Sequence, residues 1–130
     1  MIELNGIRHS SIEDALPYFM TAARVHLQNL PLLTAVPDLP VATHVHLESL
    51  PLLTIIPDLP AATHVHLANL PLLTVVLDLP VATHVNMYYL PHLAVVSSMP
   101  VATKVDLYDL PGLRAFPYLP TGVDFQLRIY

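Results

Sequence analysis

From residue 21 onward, the chain repeats one pattern of hydrophobic and polar positions every twenty residues, without insertion or deletion. The clearest copies are residues 41–60 (VATHVHLESLPLLTIIPDLP) and 61–80 (AATHVHLANLPLLTVVLDLP). The pattern continues with more substitutions in residues 21–40, 81–100 and 101–120, and ends in a half-copy, residues 121–130. Such a period predicts a solenoid, in which each repeat packs on its neighbours.

Three columns of the aligned repeats hold a single apolar residue type. They are Val25, Val45, Val65, Val85 and Val105; Leu30, Leu50, Leu70, Leu90 and Leu110; and Leu33, Leu53, Leu73, Leu93 and Leu113. A single repeat cannot bury these residues by itself, so the columns predict one continuous core that runs through all the turns.

Each repeat also contains one segment with the alternation of a β-strand. In residues 43–47, Thr-His-Val-His-Leu, polar and apolar residues alternate, so the valine and leucine are expected to point inward and the histidines outward. Copies stacked about 4.8 Å apart form a short parallel sheet. The return path, Leu-Thr-x-Val-Pro-Asp-Leu-Pro, predicts extended or irregular chain, with a second brief strand around residues 75–79.

Residues 1–20 do not follow the repeat and are predicted to form an N-terminal cap on the solenoid of residues 21–130. Met1–Arg8 is a candidate edge strand. Ser11-Ile-Glu-Asp14 has the pattern of a helix N-cap, and a short helix is expected to continue over Ala15–Ala23 despite Pro17.

Proline occupies the same places in successive repeats. Thirteen of the fourteen prolines fall at three repeat positions, those of Pro31, Pro37 and Pro40, and Pro17 alone lies elsewhere. A proline inside a helix costs about 3 kcal/mol, so this spacing excludes a helical bundle. A transmembrane helix needs roughly 20 apolar residues, and no stretch of that length lacks a proline, so no membrane span is predicted.

The composition excludes further classes of protein. The chain is 54% hydrophobic and only 12% charged, which is too apolar for a disordered protein, and it has no cysteine for disulfides or thiolate chemistry. A formal charge of −5 argues against nucleic-acid binding. No standard signal peptide is visible near Met1. The sequence therefore does not identify the compartment. It is compatible with secretion by a non-classical route and with incorporation into an assembly.

The repeat resembles the short, twenty-residue leucine-rich repeats of bacterial secreted effectors. The resemblance rests on the Leu-Pro-x-Leu and Pro-x-Leu-Pro punctuation and on residues 111–125, PGLRAFPYLPTGVDF, and it covers roughly residues 24–127. It implies a mainly-β, right-handed stack of about five turns, with a parallel sheet on a concave, partner-binding face and an irregular, proline-rich opposite side. Some effectors of this type carry a cysteine-dependent ubiquitin ligase domain. The sequence excludes that activity here, because the chain has no cysteine.

One column departs from that family's pattern. Leucine-rich repeats normally place asparagine three residues beyond the last inward leucine of the strand, where its amide satisfies backbone groups. Here that column holds Leu30, Leu50, Leu70, Leu90 and Leu110. Either the turn has a different geometry or the assumed register is wrong by one residue.

Two polar columns flank the inward valines. One holds Arg24, His44, His64, His84 and Lys104; the other holds His26, His46, His66, Asn86 and Asp106. Imidazoles about 5 Å apart on adjacent turns make His44, His46, His64 and His66 weak candidates for Zn²⁺, Cu²⁺ or Ni²⁺ ligands. The alternatives are a pH-sensitive binding surface and the copying of a tolerated surface histidine with no specific role.

A third polar column, Asp38, Asp58 and Asp78, lies in the Pro-Asp-Leu-Pro turns and their Leu-Asp-Leu-Pro variant. Stacked carboxylates are candidates for Ca²⁺ binding. However, each turn supplies one acid and no glycine-rich loop, and an aspartate in a turn more often accepts hydrogen bonds from nearby backbone amides.

Substitutions away from the repeat concentrate in the C-terminal turns. Among them, Tyr88, Tyr89 and Tyr108 are expected just past the strands on adjacent turns, and tyrosine is favoured in protein interfaces. Drift of the terminal repeats is the alternative explanation. The predicted partner-binding residues are His44, His46, His64, His66, His84, Asn86, Tyr88, Tyr89, Lys104, Asp106 and Tyr108.

The sequence therefore predicts a non-enzymatic, protein-binding solenoid that needs no cofactor. No serine lies in a nucleophile context, and the three glycines are too few for a phosphate-binding loop. The competing interpretation is a structural protein that assembles with copies of itself or decorates a surface, since weakly charged surfaces tend to associate.

Overall fold

The computed structural model describes residues 1–114 and 120–128, and it confirms a mainly-β, right-handed repeat solenoid of about five turns with one short helix. The elements are β1 (Ile2–Leu4), β2 (Ile7–His9), α1 (Ile12–Phe19), β3 (Arg24–Gln28), β4 (His44–Glu48), β5 (His64–Ala68), β6 (Val75–Val76), β7 (His84–Tyr88), β8 (Val95–Val96), β9 (Lys104–Tyr108) and β10 (Asp124–Arg128). Pro117, Tyr118 and Leu119, on the return path of the last full repeat, lie outside the described residues.

The main sheet has eight strands in the order β10-β9-β7-β5-β4-β3-β1-β2. The six repeat strands pair in parallel, and each residue lies opposite the one twenty positions further on, as Val45 lies opposite Val65. The twenty-residue period therefore becomes an in-register sheet in which equivalent side chains stack on one another.

The core follows the apolar columns. Val65 is 2% exposed and Leu67 is fully buried, and the same holds, within a few per cent, for their equivalents on β3, β4, β7 and β9, whereas Phe125 on β10 is half-buried. The leucine column at the expected asparagine position is core as well, since Leu50, Leu70, Leu90 and Leu110 are fully buried. Those leucines therefore occupy inward positions, and the turn after the strand has a different geometry from that of the family it resembles.

That turn is made by the residue before each leucine, which adopts a left-handed conformation. The residues are Asn29, Ser49, Asn69, Tyr89 and Asp109, with φ between 53° and 56°. The backbone N–H of each of the first four donates to the carbonyl at the end of the next strand, as Asn29 N–H does to Glu48 O at 3.1 Å. A ladder of backbone hydrogen bonds thus takes the place of an asparagine side-chain ladder.

A side-chain ladder does exist, but it lies at the start of the strands and consists of threonine. The hydroxyl of Thr63 donates to the carbonyl of Thr43 at 3.1 Å, and Thr83 and Thr103 repeat this bond to the turn before them. Thr43 donates in the same way to Ala23 O. These bonds fasten each turn to its predecessor directly beside the outward histidines.

The return path is mostly irregular and contains a second, two-stranded sheet. Val75–Val76 pairs in parallel with Val95–Val96, so the brief strand expected around residues 75–79 forms over its first two residues. Beyond it, the carboxylate of Asp78 accepts bonds from the backbone N–H and the hydroxyl of Ser98, each at 3.0 Å. These bonds tie the return path of residues 61–80 to that of residues 81–100.

At the N-terminus, the structure divides the expected single strand into a hairpin, because Asn5 and Gly6 form a turn with φ of 52° and 80°. Strand β1 runs antiparallel to β3, so β2 is the outer strand of this edge. Helix α1 begins after its N-cap Ser11, whose hydroxyl accepts from Asp14 N–H, and buries Ala15 and Phe19. It ends at Phe19, earlier than predicted.

Within the described ranges, no helix has the length and apolar character that a membrane span requires.

Candidate binding groove on the sheet

A groove of about 500 Å³ lies along the outward face of the sheet and crosses β3, β4, β5, β7 and β9. One row of its lining, the first wall, consists of Arg24, His44, His64, His84 and Lys104; the other, the second wall, consists of His26, His46, His66, Asn86 and Asp106. Between the walls lies the main chain of the intervening valines, whose side chains point into the core. Glu3 and Gly6 of the β1–β2 hairpin line the N-terminal end.

The histidines of the first wall form a stack of nearly parallel rings. The ring centroids of His44 and His64 are 4.5 Å apart, and those of His64 and His84 are 4.6 Å apart. The Nδ1 atom of each ring lies 2.9–3.0 Å from the hydroxyl of the preceding threonine. Because that hydroxyl already donates its one hydrogen to a carbonyl, we infer that Nδ1–H is the donor and that Nε2 keeps its lone pair.

The second wall contains a closer histidine stack that meets a carboxylate. The ring centroids of His26 and His46, and those of His46 and His66, are 4.1 Å apart. His46 Nε2 lies 3.1 Å from Glu48 Oε1, and His66 Nε2 lies 3.9 Å from the same oxygen. The amide of Gln28 donates to Glu48 Oε2 at 3.1 Å and so fixes the orientation of the carboxylate.

Burial and neighbouring rings lower the pKa of three of these imidazoles, those of His26, His64 and His66. Burial lowers the pKa of His66, and His46 lowers it further, against an opposing effect of Glu48. The pKa of His26 is lowered first by burial and then by His46. Burial and the rings of His44 and His84 lower the pKa of His64. The permanent charges of the groove therefore lie toward its ends.

Beyond the histidines, the second wall presents two acceptor oxygens that the described protein leaves without a donor. Asn86 Oδ1 and Asp106 Oδ1 are both buried and have no hydrogen-bond partner among the described residues. They stand opposite each other on paired strands. A buried acceptor without a donor is costly, most of all when it belongs to a carboxylate. This part of the groove therefore has the chemistry to accept hydrogen bonds from a ligand.

The tyrosines extend the second wall outside the groove. Tyr88 and Tyr108 are the last residues of β7 and β9, not just past them, and their rings stack at 5.2 Å. Tyr88 also makes an edge-on contact with His66 at 5.2 Å. Burial, followed by Asp106 and Tyr108, raises the pKa of the Tyr88 hydroxyl. Tyr89 lies in the following turn and is 61% exposed.

The structure thus brings eight of the predicted partner-binding residues into one groove: His44, His46, His64, His66, His84, Asn86, Lys104 and Asp106. Tyr88 and Tyr108 adjoin this set through His66. Sequence reasoning missed Glu48 and Gln28, although each follows an outward histidine by two residues on the same strand, the spacing that places both on one face.

The aspartates of the turns do not form a comparable site. Asp38, Asp58 and Asp78 are exposed on the return path. Among the described residues, the one group of three side chains arranged to ligate a metal is His46, Glu48 and His66. The two hydrogen bonds from Ser98 lower the pKa of Asp78, which gives that residue a structural role.

Comparison with known proteins finds no matching family model, no matching curated protein and no matching solved structure.

Proposed function

We propose that the chain is a non-enzymatic binding module whose groove takes an extended segment of a protein partner. The observation that carries the proposal is the pair of buried acceptor oxygens, Asn86 Oδ1 and Asp106 Oδ1, in the wall of a groove lined by side chains from five strands. Both atoms are shielded from solvent, so a ligand reaches them after the Asn86 and Asp106 side chains rotate toward the groove, and its hydrogen bonds then remove the cost of leaving them unpaired.

The length of the groove suits a short extended segment. Arg24 and Lys104 mark the two ends of the first wall and are separated by four strand-to-strand steps, or about 19 Å. An extended chain covers that distance in about six residues. Between these ends the walls are mostly imidazoles, whose ring faces and edges suit planar and aliphatic side chains.

Charge defines the expected partner further. Within the described part of the chain, Arg24 and Lys104 have no ion-pair partner, whereas Glu3 pairs with Arg8 at 3.6 Å. A complementary segment therefore carries an acidic side chain near each end. It also carries a donor, such as a lysine or arginine side chain, at the position that faces Asp106.

Selection from a library of displayed random hexapeptides tests the proposal. We expect enriched sequences with acidic termini and a basic residue near one end, and binding that Asp106→Asn weakens at least about tenfold, as expected for a desolvated charge pair. Asp58→Asn, the same change on the exposed return path, is the matched control and should leave the affinity unchanged. The proposal fails if no sequence is enriched, or if both variants bind the selected peptides as the wild type does.

A second candidate function is self-association, and exposed aliphatic columns on the back of the solenoid favour it. Leu32, Leu52 and Leu72 are 84%, 41% and 41% exposed, and Ile55 on the same side is 57% exposed. Val75 and Val95, in the same column as Ile55, are 36% and 37% exposed. Columns of exposed aliphatic side chains are typical of an interface.

Sedimentation velocity of the wild type and of Ile55→Lys tests this second function. If copies assemble through the back, the wild type forms a discrete oligomer as its concentration rises and Ile55→Lys remains monomeric. His64→Ala, on the opposite face, serves as the control and should assemble normally. A wild type that stays monomeric throughout the micromolar range contradicts this function and leaves the groove proposal unaffected.

A further inference from the structure

A group of three potential metal ligands, His46, Glu48 and His66, lies at the side of the groove. Strand β4 carries His46 and Glu48 two residues apart on one face, and the register of β4 with β5 places His66 opposite His46. One ring nitrogen of each histidine and one carboxylate oxygen of Glu48 all lie within 4.8 Å of one another. Three potential metal-ligating atoms from two strands therefore lie close together, with the two rings stacked on each other.

We propose that His46, Glu48 and His66 form a Zn²⁺ site. Two imidazole nitrogens and one carboxylate oxygen are a ligand set that zinc accepts, with bonds of about 2.0–2.2 Å. Tetrahedral geometry with such bonds requires ligand atoms roughly 3.3–3.5 Å apart. The two separations from Glu48 Oε1, 3.1 Å to His46 Nε2 and 3.9 Å to His66 Nε2, lie on either side of that range, and rotation of the stacked rings toward a common point completes the site.

The surroundings of Glu48 support this assignment. Gln28 donates to Oε2 at 3.1 Å, which leaves Oε1 directed at the two histidines. An outer partner that orients a ligating carboxylate is a regular feature of metal sites. All three ligands are half-buried, and both histidines line the groove, so a water molecule or a group from a ligand in the groove can supply the fourth position.

The other histidine stack provides an internal comparison. His44 and His64 have nearly the same ring separation, 4.5 Å, but their Nδ1 atoms bond to threonine hydroxyls. Among the described residues, no carboxylate joins them in a three-ligand group. The proposal therefore predicts that Zn²⁺ binds at the His46/His66 pair and not at the neighbouring His44/His64 pair on the same strands.

Titration of the untagged protein with Zn²⁺ near pH 7.5, followed by calorimetry, tests the site. We expect one ion per chain, with a dissociation constant below about 100 µM. Glu48→Gln should weaken binding about 10- to 100-fold, in the range seen when a metal site is perturbed. His46→Ala/His66→Ala should abolish saturable binding, and the matched control His44→Ala/His64→Ala should bind as the wild type does.

Wild-type protein loaded with Co²⁺ gives a readout that does not depend on the folding of any variant. A four-coordinate site gives the intense visible absorption of tetrahedral Co²⁺, and added Zn²⁺ removes it. Absence of saturable Zn²⁺ binding in the wild type overturns the proposal. Equal loss of affinity in the His46/His66 and His44/His64 variants overturns it as well.

Discussion

At the scale of single residues, the threonine column connects the backbone with the groove. Thr63 donates its hydroxyl hydrogen to Thr43 O at 3.1 Å and lies 2.9 Å from His64 Nδ1. One side chain thereby fastens two turns and sets the tautomer of the adjacent histidine. The same arrangement recurs at Thr43 and Thr83, which gives the first wall of the groove its uniform ring orientation.

Thr63→Val tests both roles of the hydroxyl. Loss of one intramolecular hydrogen bond should lower the free energy of unfolding by about 1 kcal/mol, as measured by urea denaturation. The ¹⁵N spectrum of the His64 imidazole should change from one tautomer to a mixture of two. Thr54→Val, on the exposed return path, should change neither quantity. An unaltered His64 tautomer in Thr63→Val would contradict the assignment.

Tyr89 is the residue that fits its backbone conformation least well. Its φ is 53°, a left-handed value that asparagine tolerates and a bulky side chain does not, and the same column holds asparagine in two other turns. The side chain is 61% exposed, so packing offers little compensation. Strain that persists at an exposed position favours a binding role for this tyrosine.

Tyr89→Asn should therefore raise the free energy of unfolding, by about 1 kcal/mol. The reciprocal change Asn69→Tyr should lower it by at least as much, because Asn69 also loses its hydrogen bond to Ser49 Oγ. Thermal and urea denaturation of both variants measure the two effects. A destabilised Tyr89→Asn variant would show that the tyrosine makes a compensating contact in the folded chain.

At the scale of elements, the strands were predictable and the connections were not. The period-two pattern of residues 43–47 predicts a strand, and the structure has one at His44–Glu48 and at its equivalents. The left-handed turns were missed because asparagine, serine, tyrosine and aspartate share that column, and the column shows no single residue type. Hairpin β1–β2 was missed although Asn5-Gly6 is a strong turn signal.

The tie between the return paths of two repeats predicts a dependence of stability on pH. The bonds from Ser98 hold the pKa of Asp78 below its ordinary value, so the folded chain binds that proton less readily than the unfolded chain does. This contribution to stability is fully present above the unfolded pKa, about 4, and is lost as the pH falls through the lower folded value.

Urea denaturation at pH 7 and at about pH 2.5 measures this contribution, since the interval spans the ordinary pKa of aspartate. The loss of stability on acidification should be smaller in Asp78→Asn than in the wild type. Asp58→Asn, an equivalent position on the preceding turn, is the control and should respond to acid as the wild type does. Identical acid responses of Asp78→Asn and the wild type would contradict the assigned role.

At the scale of the whole molecule, the sequence was sufficient to predict a surface but not its chemistry. Residues twenty positions apart in the sequence lie opposite each other on adjacent strands of the solenoid. The repeat therefore brings eight of the predicted residues into one groove. The aligned repeats do not specify side-chain rotamers. The approach of Glu48 to two histidines depends on those rotamers, and so do the unpaired oxygens of Asn86 and Asp106.

The two faces of the molecule suit different kinds of contact. The groove carries stacked imidazoles, cations at the ends of one wall and unpaired acceptors in the other. The back carries exposed aliphatic columns that include Leu52 and Ile55. A ligand of mixed charge is therefore expected on the sheet, and apolar association on the return paths.

The most direct test of the groove as the binding site is a map of backbone amide shifts in the ¹⁵N spectrum, recorded while a selected hexapeptide is added. We predict that the largest changes fall on β4, β5, β7 and β9, at the histidines of both walls and at Asn86 and Asp106. Changes confined to the back of the solenoid, around Leu52 and Ile55, would contradict the proposed function.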